Sequence, residues 1–182
     1  MKIYLLRFGV ILLLIFLQLS FLDIIFPWFH APLLLLTSVI AWTLIVGFPE
    51  SLWMTLPLSL MFDSVTFGAV SGFSLYAIFL SYVTSFFSRR LLIERQGFSL
   101  ILYAVFASGS ASGYQLLAFF LARDRARAFF TAFPSLPFVL SPDILLFSLV
   151  LCVPLFVVTY AGLRRFENYI GSISQKQFHN VR

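Results

Sequence analysis

From Gly97 to Leu121 the chain runs 25 residues without one charged side chain, and stretches almost as apolar recur along most of its length. Such a run limits the fold severely. About 20 mostly apolar residues let a helix cross a bilayer, whereas the surface helices of a soluble domain keep one polar face. Composition agrees: 61% of the 182 residues are hydrophobic, Phe occurs 24 times, and only 10% are charged. A soluble domain carries roughly 25% charged residues. One core of this size can neither hide so much apolar side chain nor cover it with so few charges. A soluble enzyme, a secreted disulfide scaffold and a disordered tail are excluded. Lipid is the expected solvent for most of the chain.

Junction residues divide the sequence into six predicted spans, at about 3–22, 31–48, 51–67, 72–87, 97–121 and 144–163. Lys2 and Arg7 precede the first apolar stretch as in a secretory signal, but no small-x-small cleavage motif follows Leu22, so this reads as an uncleaved span. Pro27, Trp28, His30 and Pro32 form a turn, and Gly47, Pro49 and Glu50 close the second span. Gly68, Ser71 and Gly72 break the third from the fourth, and Arg89 to Arg95 form a basic loop. Arg123, Asp124, Arg125 and Arg127 end the fifth span, while Asp143 and the pair Arg164-Arg165 bound the sixth. Between them, Pro134, Pro137 and Pro142 make the segment 128–142 a loop or an interfacial half-helix. The expected fold is an all-α polytopic membrane protein, a single integral domain over 1–182 with a basic cytoplasmic tail from 164.

Basic residues set the orientation. With the N-terminus inside, the inner segments hold Lys2, Arg7, Arg89, Arg90, Arg95, Arg164, Arg165, Lys176 and Arg182, and the outer ones Arg123, Arg125 and Arg127. Nine against three places both termini in the cytoplasm. Fusing the third and fourth spans would reverse that preference, leaving more basic residues outside than inside. The net charge of +5 thus reads as cytoplasmic loops rather than as a nucleic-acid surface.

Material for chemistry is sparse. Cys152 lies alone in an apolar run, and His30 and His179 have no ligand partners at metal spacing, so neither a metal nor another cofactor is expected. Asp63, inside the third span, has two readings: its carboxylate reaches interfacial water, or it faces the bundle and pairs with a polar or basic group such as Arg123, Arg125 or Arg127. Asp63 with Asp143 would supply the two carboxylates of an intramembrane aspartyl protease, but six spans are the wrong architecture for the lipoprotein signal peptidases. The Gly-Ser-Ala-Ser-Gly run at 109–113 misses a rhomboid-type nucleophile site by one residue and has no histidine in a late span. Small residues from Ala107 to Gly113, with Gly109 and Gly113 as a G-xxx-G pair, instead predict close helix packing. Gly68 and Gly72 share that spacing but fit a turn better.

The stretch Asp63-Ser-Val-Thr-Phe-Gly68-Ala-Val-Ser-Gly72-Phe-Ser-Leu-Tyr76-Ala, followed by the basic loop at Arg89 to Arg95 and by Tyr114-Gln115-Leu116-Leu117, resembles the MreD family of rod-shape-determining membrane proteins. The family pattern is an aspartate near a helix end, a glycine turn, an aromatic-rich helix, a basic loop and a Tyr-Gln-Leu-Leu-like element. The proline usual before the turn glycine is absent here, and the distance from Asp63 to Gly72 is one residue long. The resemblance implies a non-enzymatic scaffold in the bacterial inner membrane. It would bind a single-span MreC-like partner, and through it an MreB-like filament and the cell-wall synthases. Asp63, Gly68, Gly72, Arg89, Arg90, Gly109, Gly113 and Gln115 are the structural or interaction candidates.

The alternative is the substrate-binding component of an energy-coupling vitamin transporter, a class of small six-span proteins that the MreD family resembles in fold. Such a protein needs several convergent polar groups around a pocket. Within the spans the sequence offers Gln18, Asp63, Gln115 and scattered Ser and Thr.

Overall fold

The computed structural model describes residues 2–25, 32–65, 72–90, 96–122 and 142–179, and everything in these stretches beyond short turns is helical. Helix α1 (Lys2–Leu17) continues through a π-helical turn (Gln18–Leu22) into a last α-helical turn (Asp23–Ile25). It is followed by α2 (Leu33–Val46), α3 (Phe48–Val65), α4 (Phe73–Arg90), α5 (Gln96–Ala122) and α6 (Pro142–His179). One helix therefore stands where each apolar span was predicted. The Arg123 to Arg127 cluster and Pro134 and Pro137 lie outside the described residues.

Three boundaries differ from the sequence reading, each for a local reason. Pro49 and Glu50 do not close the second span but open α3, because Gly47 alone makes the break with φ +86°, a left-handed conformation that suits glycine. Proline is tolerated in a first helical turn, where its missing N–H has no intrahelical acceptor. At the other end of the chain, α6 does not stop with the predicted span at 163 but continues unbroken to His179. The sequence from Arg164 to His179 contains one glycine and no proline, so nothing local stops it. Finally, Pro142 does not sit in a loop but occupies the first position of α6.

By length and composition, two described stretches can cross a membrane: Leu5–Leu22 and Ser148–Gly171. Helix α2, with 14 residues, is only about 21 Å long at 1.5 Å per residue. It is also the centre of the molecule, touching each of the other five helices. Every residue from Leu33 to Thr43 is buried. Around it α3 and α4 pack as an antiparallel pair, and α6 lies against both α2 and α5. Aromatic contacts pin the α3–α4 pair at both ends, Phe48 against Tyr82 and Phe62 against Phe73.

The outward surface is the reverse of a soluble protein's. Phe16, Phe21, Trp53, Leu60, Leu75, Phe79 and Val158 are all exposed, while Thr37, Ser38, Thr55, Ser59, Ser81, Thr84 and Ser148 are buried. Many of the buried hydroxyls bond back to the carbonyl three or four residues earlier, as Ser38 does to Leu34, Thr43 to Val39, Ser81 to Ala77 and Thr84 to Leu80. Such bonds satisfy a hydroxyl within its own helix and leave a small side chain at the interface.

Candidate functional site

Polar joints hold the helices together; three involve an acid or an amide side chain, and two of these share one design. At the end of α3, Asp63 reaches across to the start of α4, where its Oδ2 accepts the backbone N–H of Ser74 at 3.0 Å and also the Ser74 hydroxyl. Ser74 is the second residue of α4, so its amide is one of the orphan donors of a helix start. A carboxylate there also meets the positive end of the helix dipole. At the end of α1, Gln18 does the same for α2: its Oε1 accepts the N–H of Leu34 at 2.9 Å, and its side chain is only 1% exposed. In both cases a helix hands the next one its cap.

Beside the Asp63 joint lies an aromatic cluster. Phe62 packs on Phe73 with ring centres 4.9 Å apart, Phe73 on Tyr114 at 5.5 Å, and Tyr114 on Tyr76 at 5.6 Å. The Tyr76 hydroxyl donates to the backbone carbonyl of Ser110 at 2.6 Å, tying α4 to α5. Gly113 makes room for that hydroxyl, since a Cβ on residue 113 would stand 2.9 Å from it. The segments around Asp63, Gly72–Tyr76 and Tyr114, distant in sequence, therefore meet in one place.

The third joint is at the opposite end of α1 and α2. Arg7 donates to Glu167 Oε2 at 2.7 Å, and the Trp42 indole N–H donates to Oε1 at 3.0 Å. Side-chain exposure is 21% for Arg7 and 9% for Glu167, and Arg7 Nε is buried with no partner among the described residues. This ion pair, the one among the described residues, joins α1, α2 and α6.

The residues singled out from sequence take different places in this arrangement. Asp63 takes a polar partner, Ser74, and stays half-buried; its proposed arginine partners lie outside the described residues. Gly72 is buried and its carbonyl accepts the N–H of Tyr76, opening α4, whereas Gly68 lies outside the described residues. Arg89 and Arg90 are the last two residues of α4, and their side chains lie outside the described set. Gly113 packs tightly but Gly109 does not: it is exposed, and a Cβ there would meet nothing within 4 Å. The contact of α5 with α6 is marked instead by Ser108, whose hydroxyl lies 2.9 Å from that of Ser148, while Ala104, Ala107 and Ala111 of α5 are also buried. Gln115 is half-buried on α5 and forms no hydrogen bond among the described residues. Glu167, Trp42, Ser74 and Tyr76 were not singled out as candidates. Of these, Glu167 carried a signal: it is an acid in a basic segment, spaced four and three residues from Leu163 and Ile170, which are buried on the same helix.

Among the described residues no three His, Cys, Asp or Glu side chains gather at one place. No protein-family model, curated protein or solved structure matches the chain.

Proposed function

We propose that the chain is a six-span membrane scaffold of the MreD kind, lying in a bacterial inner membrane with both termini in the cytoplasm and holding an MreC-like single-span partner. The observation that carries this reading is how the interior polar groups are used. Gln18, Asp63, Glu167 and Tyr76 each join one helix to another, and the buried hydroxyls bond within the bundle. A protein that captures a polar small molecule keeps several such groups free and convergent. Support for the particular family is the meeting of the Asp63, Tyr76 and Tyr114 segments, which carry the resemblance.

The short α2 fits a membrane-embedded bundle. A helix surrounded by protein need not span the hydrocarbon layer alone, provided its ends are satisfied by the protein, as Gln18 satisfies Leu34. The burial of Leu33 to Thr43 and the apolar outer faces of α1, α3 and α4 fit a lipid phase lying outside those neighbours.

Affinity capture of the tagged chain from native membranes tests the proposal. Recovery of a single-span coiled-coil protein, together with rounding of cells depleted of the chain, is the expected result. Recovery of a bound vitamin, with an ATPase pair as the co-purifying partners, would establish the transporter reading instead.

A further inference from the structure

Helix α6 has two faces of different chemistry beyond its midpoint. Inward, Phe156, Leu163 and Ile170 are buried, and Glu167 is held by Arg7 and Trp42. Outward, Val157, Tyr160, Ala161, Arg164, Arg165 and Asn168 line an open cavity of about 400 Å³. Their spacing of three and four residues keeps them on one side of the helix. Val157, Ala161, Arg164, Arg165 and Asn168 are exposed, and Tyr160 is half-buried.

The arginines decide what this groove suits. Among the described residues neither Arg164 nor Arg165 makes a hydrogen bond or ion pair. The nearest acid in sequence, Glu167, is turned to the other face and already paired. The groove therefore offers an apolar floor at Val157 and Ala161 with the Tyr160 phenol between them, and then two guanidiniums that are unpaired among the described residues, with a carboxamide beyond them. That order, read along the helix axis, matches a lipid read from acyl chain to phosphate.

We propose that this face of α6 is a binding site for one anionic glycerophospholipid, with an acyl chain along Val157 and Ala161 and the phosphate on Arg164 and Arg165. The Asn168 carboxamide, one turn beyond Arg164, supplies a further donor. Guanidinium suits the task because its planar fork donates two parallel bonds to phosphate oxygens. The inference rests on the membrane reading above and goes beyond it, since nothing in the scaffold role requires a bound lipid.

The full chain, purified in detergent and stripped of lipid, is titrated with phosphatidylglycerol, phosphatidylcholine or inorganic phosphate, and bound lipid is counted by native mass spectrometry. Phosphatidylglycerol is expected to bind roughly thirtyfold more tightly than phosphatidylcholine, the preference two arginines give at an anionic surface. R164Q/R165Q should abolish the preference while keeping the melting temperature, because both side chains are exposed and make no pair among the described residues. A161W should lower retention of both lipids by filling the groove floor. Equal binding of the two phospholipids, an undiminished preference in the double variant, or competition by inorganic phosphate alone at the same concentration would overturn the proposal. Carbonate extraction of native membranes is read separately: release of the chain into the soluble fraction would sink the membrane reading, whatever lipid the purified protein binds.

Discussion

Arg7 and Glu167 are 160 residues apart in the chain and 2.7 Å apart in the fold. Few contacts do more to bring the two ends of the molecule together. The other oxygen of Glu167 accepts the Trp42 indole, so the pair is fastened to the central helix as well.

Removing one member of this pair leaves the other charge poorly solvated. Glu167→Ala is expected to destabilise the protein by about 2–4 kcal/mol, less than for a fully dry pair because Arg7 stays partly exposed. Replacing both residues by methionine should recover much of that loss, since no charge is then left alone. Trp42→Phe removes the indole donor and also leaves a cavity in the core, and should cost about 2–4 kcal/mol. Thermal melting of the detergent-solubilised variants gives all three; a double variant less stable than Glu167→Ala would contradict the pairing.

Asp63 works through acceptor geometry at the start of α4. Asp63→Ala should lower stability by about 1–2 kcal/mol, the usual cost of a lost helix cap. Asp63→Asn keeps a carbonyl oxygen for Ser74 and should cost less than half as much. If asparagine proves as damaging as alanine in a chemical unfolding series, the negative charge matters, through the positive end of the α4 dipole or through a cationic partner.

Gln18 is tested in the same way at α2. Gln18→Leu keeps most of the volume but strands the Leu34 amide in a buried setting, with an expected loss of about 1–3 kcal/mol. Gln18→Glu supplies the same acceptor at a helix start and should be tolerated better. Hydrogen exchange at the Leu34 amide should quicken in Gln18→Leu and stay slow in Gln18→Glu.

Gly109 and Gly113 of α5 should separate cleanly. Gly109→Ala meets open space and gains helix propensity, so its melting temperature should hold or rise. Gly113→Ala drives a methyl against the Tyr76 hydroxyl, whose ring is wedged beside Tyr114. Yielding would break the bond to Ser110, and a loss of about 1–3 kcal/mol is expected, as for overpacking. Pairing it with Tyr76→Phe should recover part of that loss, which a melting comparison would show.

Element positions were legible because apolar runs and their Gly, Pro and charged breaks survive in any single sequence. What the runs do not state is which of them is inside. Residues 31–48 and 3–22 look alike by hydropathy, yet the first forms the buried centre and the second keeps Leu5, Leu13 and Phe16 exposed. The difference lies in Thr37, Ser38 and Thr43, small hydroxyl residues that suit helix interfaces and satisfy themselves within the helix. Asp63 was legible as a group needing a partner, but Ser74 was not, because a cap donor is a backbone amide and every residue has one. Glu167 was hidden by its neighbours: Arg164, Arg165 and Lys176 gave the segment the look of a solvated tail. The G-xxx-G spacing at Gly109 and Gly113 was visible, but the facing surface was not, and only Gly113 turned out to have a neighbour at close range.

Helix α6 is 38 residues long, which at 1.5 Å per residue makes a rod of about 57 Å. A hydrocarbon layer accounts for about 30 Å of that. In the proposed orientation the remainder rises from the cytoplasmic surface as a stiff post, braced where Glu167 meets Arg7 and Trp42. A post has a fixed height and direction, which a flexible tail lacks. Anything that grips its far end is held at a set distance from the lipid, and a push on it is delivered straight to the helix at the centre of the bundle.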